Sequence, residues 1–357
     1  MLRLALQRYF GFQPFLRPAH PYRFGLCLSL PEPPIAAADT QLWADIGADP
    51  GAHLRCGQLT ASDGAAIPYR LWRAQEPRAA VLLLHGAFDY SAAFDEIGPR
   101  LARRGFTALA IDQRGFGATA SRGHWAGPAR MAADAAEAAG FLMGRMPAPT
   151  PLFLLGESMG GAVAIHAAAG GSIPRLQGLV LAAPGALASA IRQRMLGWLA
   201  FAARALAGDA ELIFERLSGW ELTPAAAIRL IGDPLVMRRI RPDILSGMAD
   251  LAFASLEEAK KVRQPALVMV GARDEIIRRS CIRRLFDNLG AEKTWRVVPD
   301  APHLLLHWRR CSEVLREATR WISDRLSHPG MVRNAGDDSP LTALPQLPSL
   351  ATPNRIP

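Results

Sequence analysis

The chain has 357 residues, room for one substantial α/β domain with an inserted subdomain or for two modest domains. Half of it is apolar and 20% is charged, an ordinary globular balance. Its formal net charge of +9 is carried almost wholly by arginine, scattered without the dense run that marks a nucleic-acid patch, so nucleic acid is not an expected partner. Cys27, Cys56, Cys281 and Cys311 form no Cys-x-x-Cys pair and no Cys/His metal spacing. They read as thiols of a reducing compartment, and neither a metal nor another cofactor is expected.

Residues 1–55 read as an N-terminal extension. Arg3 and Arg8 break up its first apolar stretch, as a signal-peptide core would not tolerate. No window offers the roughly 20 uninterrupted apolar residues of a membrane-spanning helix. A cytoplasmic protein is the default expectation. Arg3, Arg8, Arg17 and Arg23 interleave with Tyr9, Phe10, Phe12 and Phe15. Such a segment either seats itself peripherally on an anionic membrane or packs its aromatics on the core or a partner subunit, the plainer reading.

From residue 57 the texture changes. Two short strands flank Asp63-Gly64, a hairpin signal. The run from Ala80 to Leu84 is continuously apolar and ends at His85-Gly86, as suits a strand buried on both faces of a parallel sheet. Ser91 is a plausible N-cap for a helix with Phe94, Ile97 and Leu101 on one face. Strands follow over 107–111, 151–155 and 176–185, with helices over 128–144 and after Ser158 between them. Strand and helix in this rhythm predict right-handed crossovers and a mostly parallel sheet with helices on both faces.

Residues 186–261 break the rhythm and are expected to be helical throughout. Strands resume at 265–275 and 294–303, so the core is expected over 56–185 and 262–327. A helical insertion between sheet strands is expected to cap the strand ends, where ligands bind in open α/β sheets. Beyond residue 328 the chain turns to Pro, Ser, Asn and Asp, the composition of a disordered tail.

The chemistry centres on Gly156-Glu157-Ser158-Met159-Gly160. A bare G-x-S-x-G string is a weak signal, but here a strand precedes it and a helix follows it. Glycine is needed at 156 and 160 because the turn packs backbone against backbone. Serine needs a base, and the base an orienting carboxylate, arriving in the order Ser, Asp or Glu, His. Asp274 and His303 each follow a strand and so reach the same sheet edge as Ser158. Asp274 is preferred to Glu275 because it stands nearer the strand end, and His303 to His307, four residues on. An oxyanion needs two backbone N–H donors, for which Ala87 and Met159 are the candidates. His85 is expected to shape the oxyanion loop, His166 to be structural, and Asp112-Gln113-Arg114-Gly115 to be a structural loop.

The segments HGAFDYS (85–91), DQRGFG (112–117), GESMGG (156–161), DPLV (233–236), GARDEI (271–276) and PDAPHLLLH (299–307) together resemble the serine aminopeptidase-type branch of the α/β hydrolases. That branch includes monoacylglycerol lipases and lysophospholipases. The resemblance implies the α/β-hydrolase fold, a lid at 186–261, Ser158, Asp274 and His303 as a triad, and Ala87 with Met159 as the oxyanion hole. It departs at Phe88, where the family carries glycine, and at Tyr90, where it carries histidine; both changes are expected to line the acyl or alcohol side of the pocket. The implied activity is carboxylic ester hydrolysis through an acyl-enzyme, on a small-molecule ester with a fatty acyl chain or a smaller one. Peptide, amide or thioester cleavage, acyl transfer, or a non-catalytic binding role on the same fold are the competing readings.

Overall fold

The computed structural model describes residues 54–187, 212–213 and 221–327. The expectations for residues 1–53, for most of 188–220 and for the tail from 328 lie outside these. In chain order the strands are β1 (Leu54–Thr60), β2 (Ala66–Trp72), β3 (Ala79–Leu84), β4 (Phe106–Ile111), β5 (Leu152–Glu157), β6 (Leu176–Ala182), β7 (Leu212–Ile213), β8 (Arg239–Ile240), β9 (Ala266–Gly271) and β10 (Lys293–Val298). The α-helices are α1 (Gly98–Ala102), α2 (Pro128–Met143), α3 (Met159–Ala169), α4 (Pro224–Gly232), α5 (Pro242–Glu258), α6 (Arg279–Asn288) and α7 (Cys311–Ser327).

Eight strands form one sheet in the order β1-β2-β4-β3-β5-β6-β9-β10. β2 runs antiparallel to both its neighbours, and every pairing from β4 to β10 is parallel. The apolar runs seen in the sequence are its central strands, with every residue of β3, β4, β5 and β9 buried. Because strand side chains alternate, each run supplies two cores at once. Leu82, Leu154, Leu181 and Val268 face α2, α3, α5 and α6. Val81, Leu83, Phe153, Leu155 and Leu267 face α1 and α7. The result is the doubly covered α/β-hydrolase sheet that the sequence predicts.

Two elements differ from expectation. The helix expected from Ser91 is split into a 3-10 turn over Ser91–Phe94 and the short α1. Pro99 stands in the first turn of α1, where its missing N–H is tolerated but cannot carry a helical hydrogen bond over from the turn before. Ser91 is not a side-chain cap; its own N–H donates to Asp112 Oδ1 at 2.9 Å. The insertion, expected to be helical throughout, contains an antiparallel pair, β7 with β8. Pro234 and Pro242 bracket the stretch before α5, and neither can continue a preceding helix, so the chain there turns over 234–236 and then runs extended through β8. α5 does not stand apart from the body: Ile244, Leu251 and Leu256 join the core that α2 and α3 share. Among the described residues, no helix is long and apolar enough to cross a membrane.

Candidate active site

β5 ends at Glu157, and α3 begins at Met159, which leaves Ser158 alone in the turn between them with φ +52°. A serine in the left-handed region is strained, and the packing around it forces the shape. A Cβ on Gly156 would lie 2.4 Å from Gly160 O, and one on Gly160 would lie 2.1 Å from Leu84 O. Glycine at both positions is what lets the helix start pack against the strand end.

Two further loops bring partners to the same edge. His303, after β10, places Nε2 2.8 Å from Ser158 Oγ and Nδ1 2.8 Å from Asp274 Oδ2. The hydroxyl therefore donates to Nε2 while Nδ1–H donates to the carboxylate. Asp274 is held in turn, since its Oδ1 accepts the N–H groups of Ile276 and Ile277 at 2.9 Å. The His303 and Asp274 side chains are 4% and 2% exposed, so water hardly screens their interaction. Burial alone would lower the His303 pKa, but the charge and hydrogen bond of Asp274, with Glu157 adding, raise it above the ordinary histidine value. Glu275, the alternative carboxylate, is exposed.

The proposed oxyanion donors flank this serine. Met159 is the first residue of α3, and Ala87 follows Gly86, where a Cβ would lie 3.6 Å from Ser158 Cβ. His85 shapes that loop, as the sequence suggests. Its Nδ1–H donates to Gly86 O at 2.7 Å, and its Nε2 accepts from Gln113 N–H at 3.0 Å. Burial holds the ring below the ordinary histidine pKa, in keeping with a neutral scaffold residue. The loop after β4 is structural too: Asp112 accepts the N–H groups of Ser91 and Ala118, and Arg114 pairs with Asp63 and Asp134. His166 sits in the last turn of α3 and bonds the backbone of Leu251.

Beneath the serine lies a buried polar cluster that the sequence did not reveal. Glu157 accepts the Leu306 N–H at 2.8 Å and stands 3.3 Å from His307 Nε2. Asp89 stands 3.8 Å from the same nitrogen and pairs with Arg229 of α4. Burial raises Glu157 to about 7, and burial with the Arg229 charge lowers His307 to about 4. His307 is thus a neutral prop, and the contact with Ser158 belongs to His303, 145 positions along the chain. Carboxylates embedded in otherwise apolar segments, Glu157 and Asp89, were the available signal. Tyr90 is buried, and its hydroxyl donates to Asp233 of the DPLV segment. Among the described residues, no cluster of His, Cys, Asp and Glu is placed to hold a metal ion.

A family model described as "Serine aminopeptidase, S33" matches residues 75–308. A putative monoglyceride lipase of Schizosaccharomyces pombe is 25% identical over 302 residues, 79% of this chain and 78% of that protein. An uncharacterized abhydrolase domain-containing protein of Dictyostelium discoideum is 29% identical over 110 residues, but the match spans only 30% of this chain and 11% of that much longer protein. Among solved structures, a soluble variant of monoglyceride lipase from Saccharomyces cerevisiae in complex with a substrate analog superposes with a TM-score of 0.66 at 19% identity, covering 77% of this chain and 96% of that one. At that identity the likeness concerns the fold.

Proposed function

This chain belongs to the serine aminopeptidase, S33, family of hydrolases, and we propose that it cleaves carboxylic esters through an acyl-enzyme on Ser158. The single observation that carries the reading is the continuous hydrogen-bond chain from Ser158 Oγ through His303 to Asp274, 2.8 Å at each step. Ser158 Oγ attacks the ester carbonyl while His303 Nε2 takes its proton. Asp274 keeps Nδ1 protonated and stabilises the imidazolium that forms. The oxyanion is received by the N–H groups of Ala87 and Met159, worth several kcal/mol of barrier in such sites. His303 then returns the proton to the leaving alcohol and activates the water that releases the acid.

We assign the substrate to esters with a fatty acyl chain, such as a monoacylglycerol or a lysophospholipid. The monoglyceride lipase relative supports this, and so does α4 of the insertion, which leaves Ile228 49% and Ile231 77% exposed. Residues 1–55 add a peripheral contact with an anionic membrane surface to the proposal.

A fluorophosphonate probe tests the nucleophile. Wild type is expected to label and Ser158→Ala to lose both labelling and turnover, by roughly 10⁶-fold in kcat. Labelling that survives the substitution excludes Ser158. An acyl-chain series then addresses the substrate: kcat/KM is expected to rise from acetyl to long-chain esters and to exceed that for matched anilides. A preference for acetyl esters would defeat the lipid assignment, and a preference for anilides the ester one.

A further inference from the structure

Three consecutive residues after the oxyanion candidate Ala87 are each held by the insertion. Phe88 O accepts the Met237 N–H at 2.7 Å, Asp89 pairs with Arg229, and the Tyr90 hydroxyl donates to Asp233. Arg229 is on a helix that inverts the usual pattern, with its charge turned inward while Ile228 and Ile231 face out. Burying a guanidinium is costly unless a partner meets it. Here Asp89 does so in a site where neither residue is more than 8% exposed. Burial would raise the Asp89 pKa, but the charge and hydrogen bond of Arg229 keep it below the ordinary carboxylate value.

The backbone explains what such a clamp is for. Phe88 has φ +71°, the left-handed region where a side chain is strained and glycine is not. Strained backbone persists only where its surroundings over-determine it. On the other side of Ala87, His85 and Gln113 already fix the chain through Gln113 Nε2–H donating to His85 O at 2.7 Å. Ala87 therefore sits between two anchors, one from the core and one from the insertion.

We propose that Arg229 is a positioning residue: by clamping Phe88–Tyr90, α4 and the segment after it set the Ala87 N–H in the oxyanion hole, so the insertion completes the catalytic site as well as covering it. This rests on Ser158 as nucleophile and Ala87 as oxyanion donor. A displaced donor weakens binding of the transition state and not of the ground state, so the effect falls on kcat.

The test compares wild type, Arg229→Met, and the double variant Asp89→Asn with Arg229→Met on a short-chain p-nitrophenyl ester. Melting temperature and fluorophosphonate labelling are measured beside kcat and KM. Arg229→Met is expected to lower kcat by about tenfold or more with KM within roughly twofold, and to melt lower because Asp89 is left charged and alone. Asp89→Asn with Arg229→Met removes that lone charge, so the melting temperature recovers while kcat stays low. Recovery of kcat together with stability would show a purely structural pair and overturn the proposal, as would wild-type kcat in Arg229→Met. If neither Arg229 variant folds, Tyr90→Phe decides: a kcat loss of about threefold at unchanged KM supports the clamp, and wild-type kcat overturns it. Absence of labelling in folded wild type would instead sink the serine reading, and the clamp with it.

Discussion

The Glu157 side chain lies beneath Ser158 with no access to solvent, and its charge is felt by the base above it. Burial raises its pKa to about 7, while Asp274 and, more weakly, Glu157 raise that of His303. His303 accepts the serine proton only when neutral, so activity falls as pH drops through its pKa. Glu157→Gln keeps an acceptor for the Leu306 N–H and removes one negative charge that favours the imidazolium. His303 should then lose its proton at lower pH, and the acid limb of kcat/KM should move to lower pH. A limb that stays in place or moves upward in the pH profile would contradict this coupling. Ser158, Asp274 and His303 were legible from their places after strands. The cluster of Glu157, His307, Asp89 and Arg229 was not, because Asp89 and Arg229 are 140 positions apart and nothing local announces their pairing.

Among elements, the turn from β5 into α3 has the least freedom. Gly160 meets Leu84 O within 2.1 Å of where a Cβ would stand, and both sides of that contact are backbone, which cannot swing aside. Gly160→Ala should cost on the order of 1–3 kcal/mol or more in thermal unfolding and reduce fluorophosphonate labelling, because the strain falls on the segment that aims Ser158. Wild-type melting and labelling in that variant would show that the turn relaxes. Elements set by repeated apolar pattern, β3 to β6, β9, α2 and α3, follow the sequence closely. Those that broke from it, the split at Ser91–Gly98 and the extended stretch before α5, are where proline or a long-range hydrogen bond overrides local preference.

At the scale of the whole molecule, charge is unevenly spread along the chain. The net charge is +9, and the first acidic residue is Glu32, after four arginines and several aromatics. Co-sedimentation with anionic vesicles should therefore be stronger for the full chain than for a version beginning near about residue 50, and weaken with salt. Equal binding by both would remove the N-terminal membrane contact from the proposed function. The amino-acid sequence by itself determined the layered α/β plan and the order of the three site residues, because strands buried on both faces must be apolar and an elbow of close backbones must be glycine. Only the tertiary structure decided what stands behind Ser158: which buried charges meet, that Tyr90 reaches Asp233, and that α4 turns Arg229 inward. Those contacts join residues far apart in the chain, and a buried charge is defined by the partner that comes to meet it, which no local pattern records.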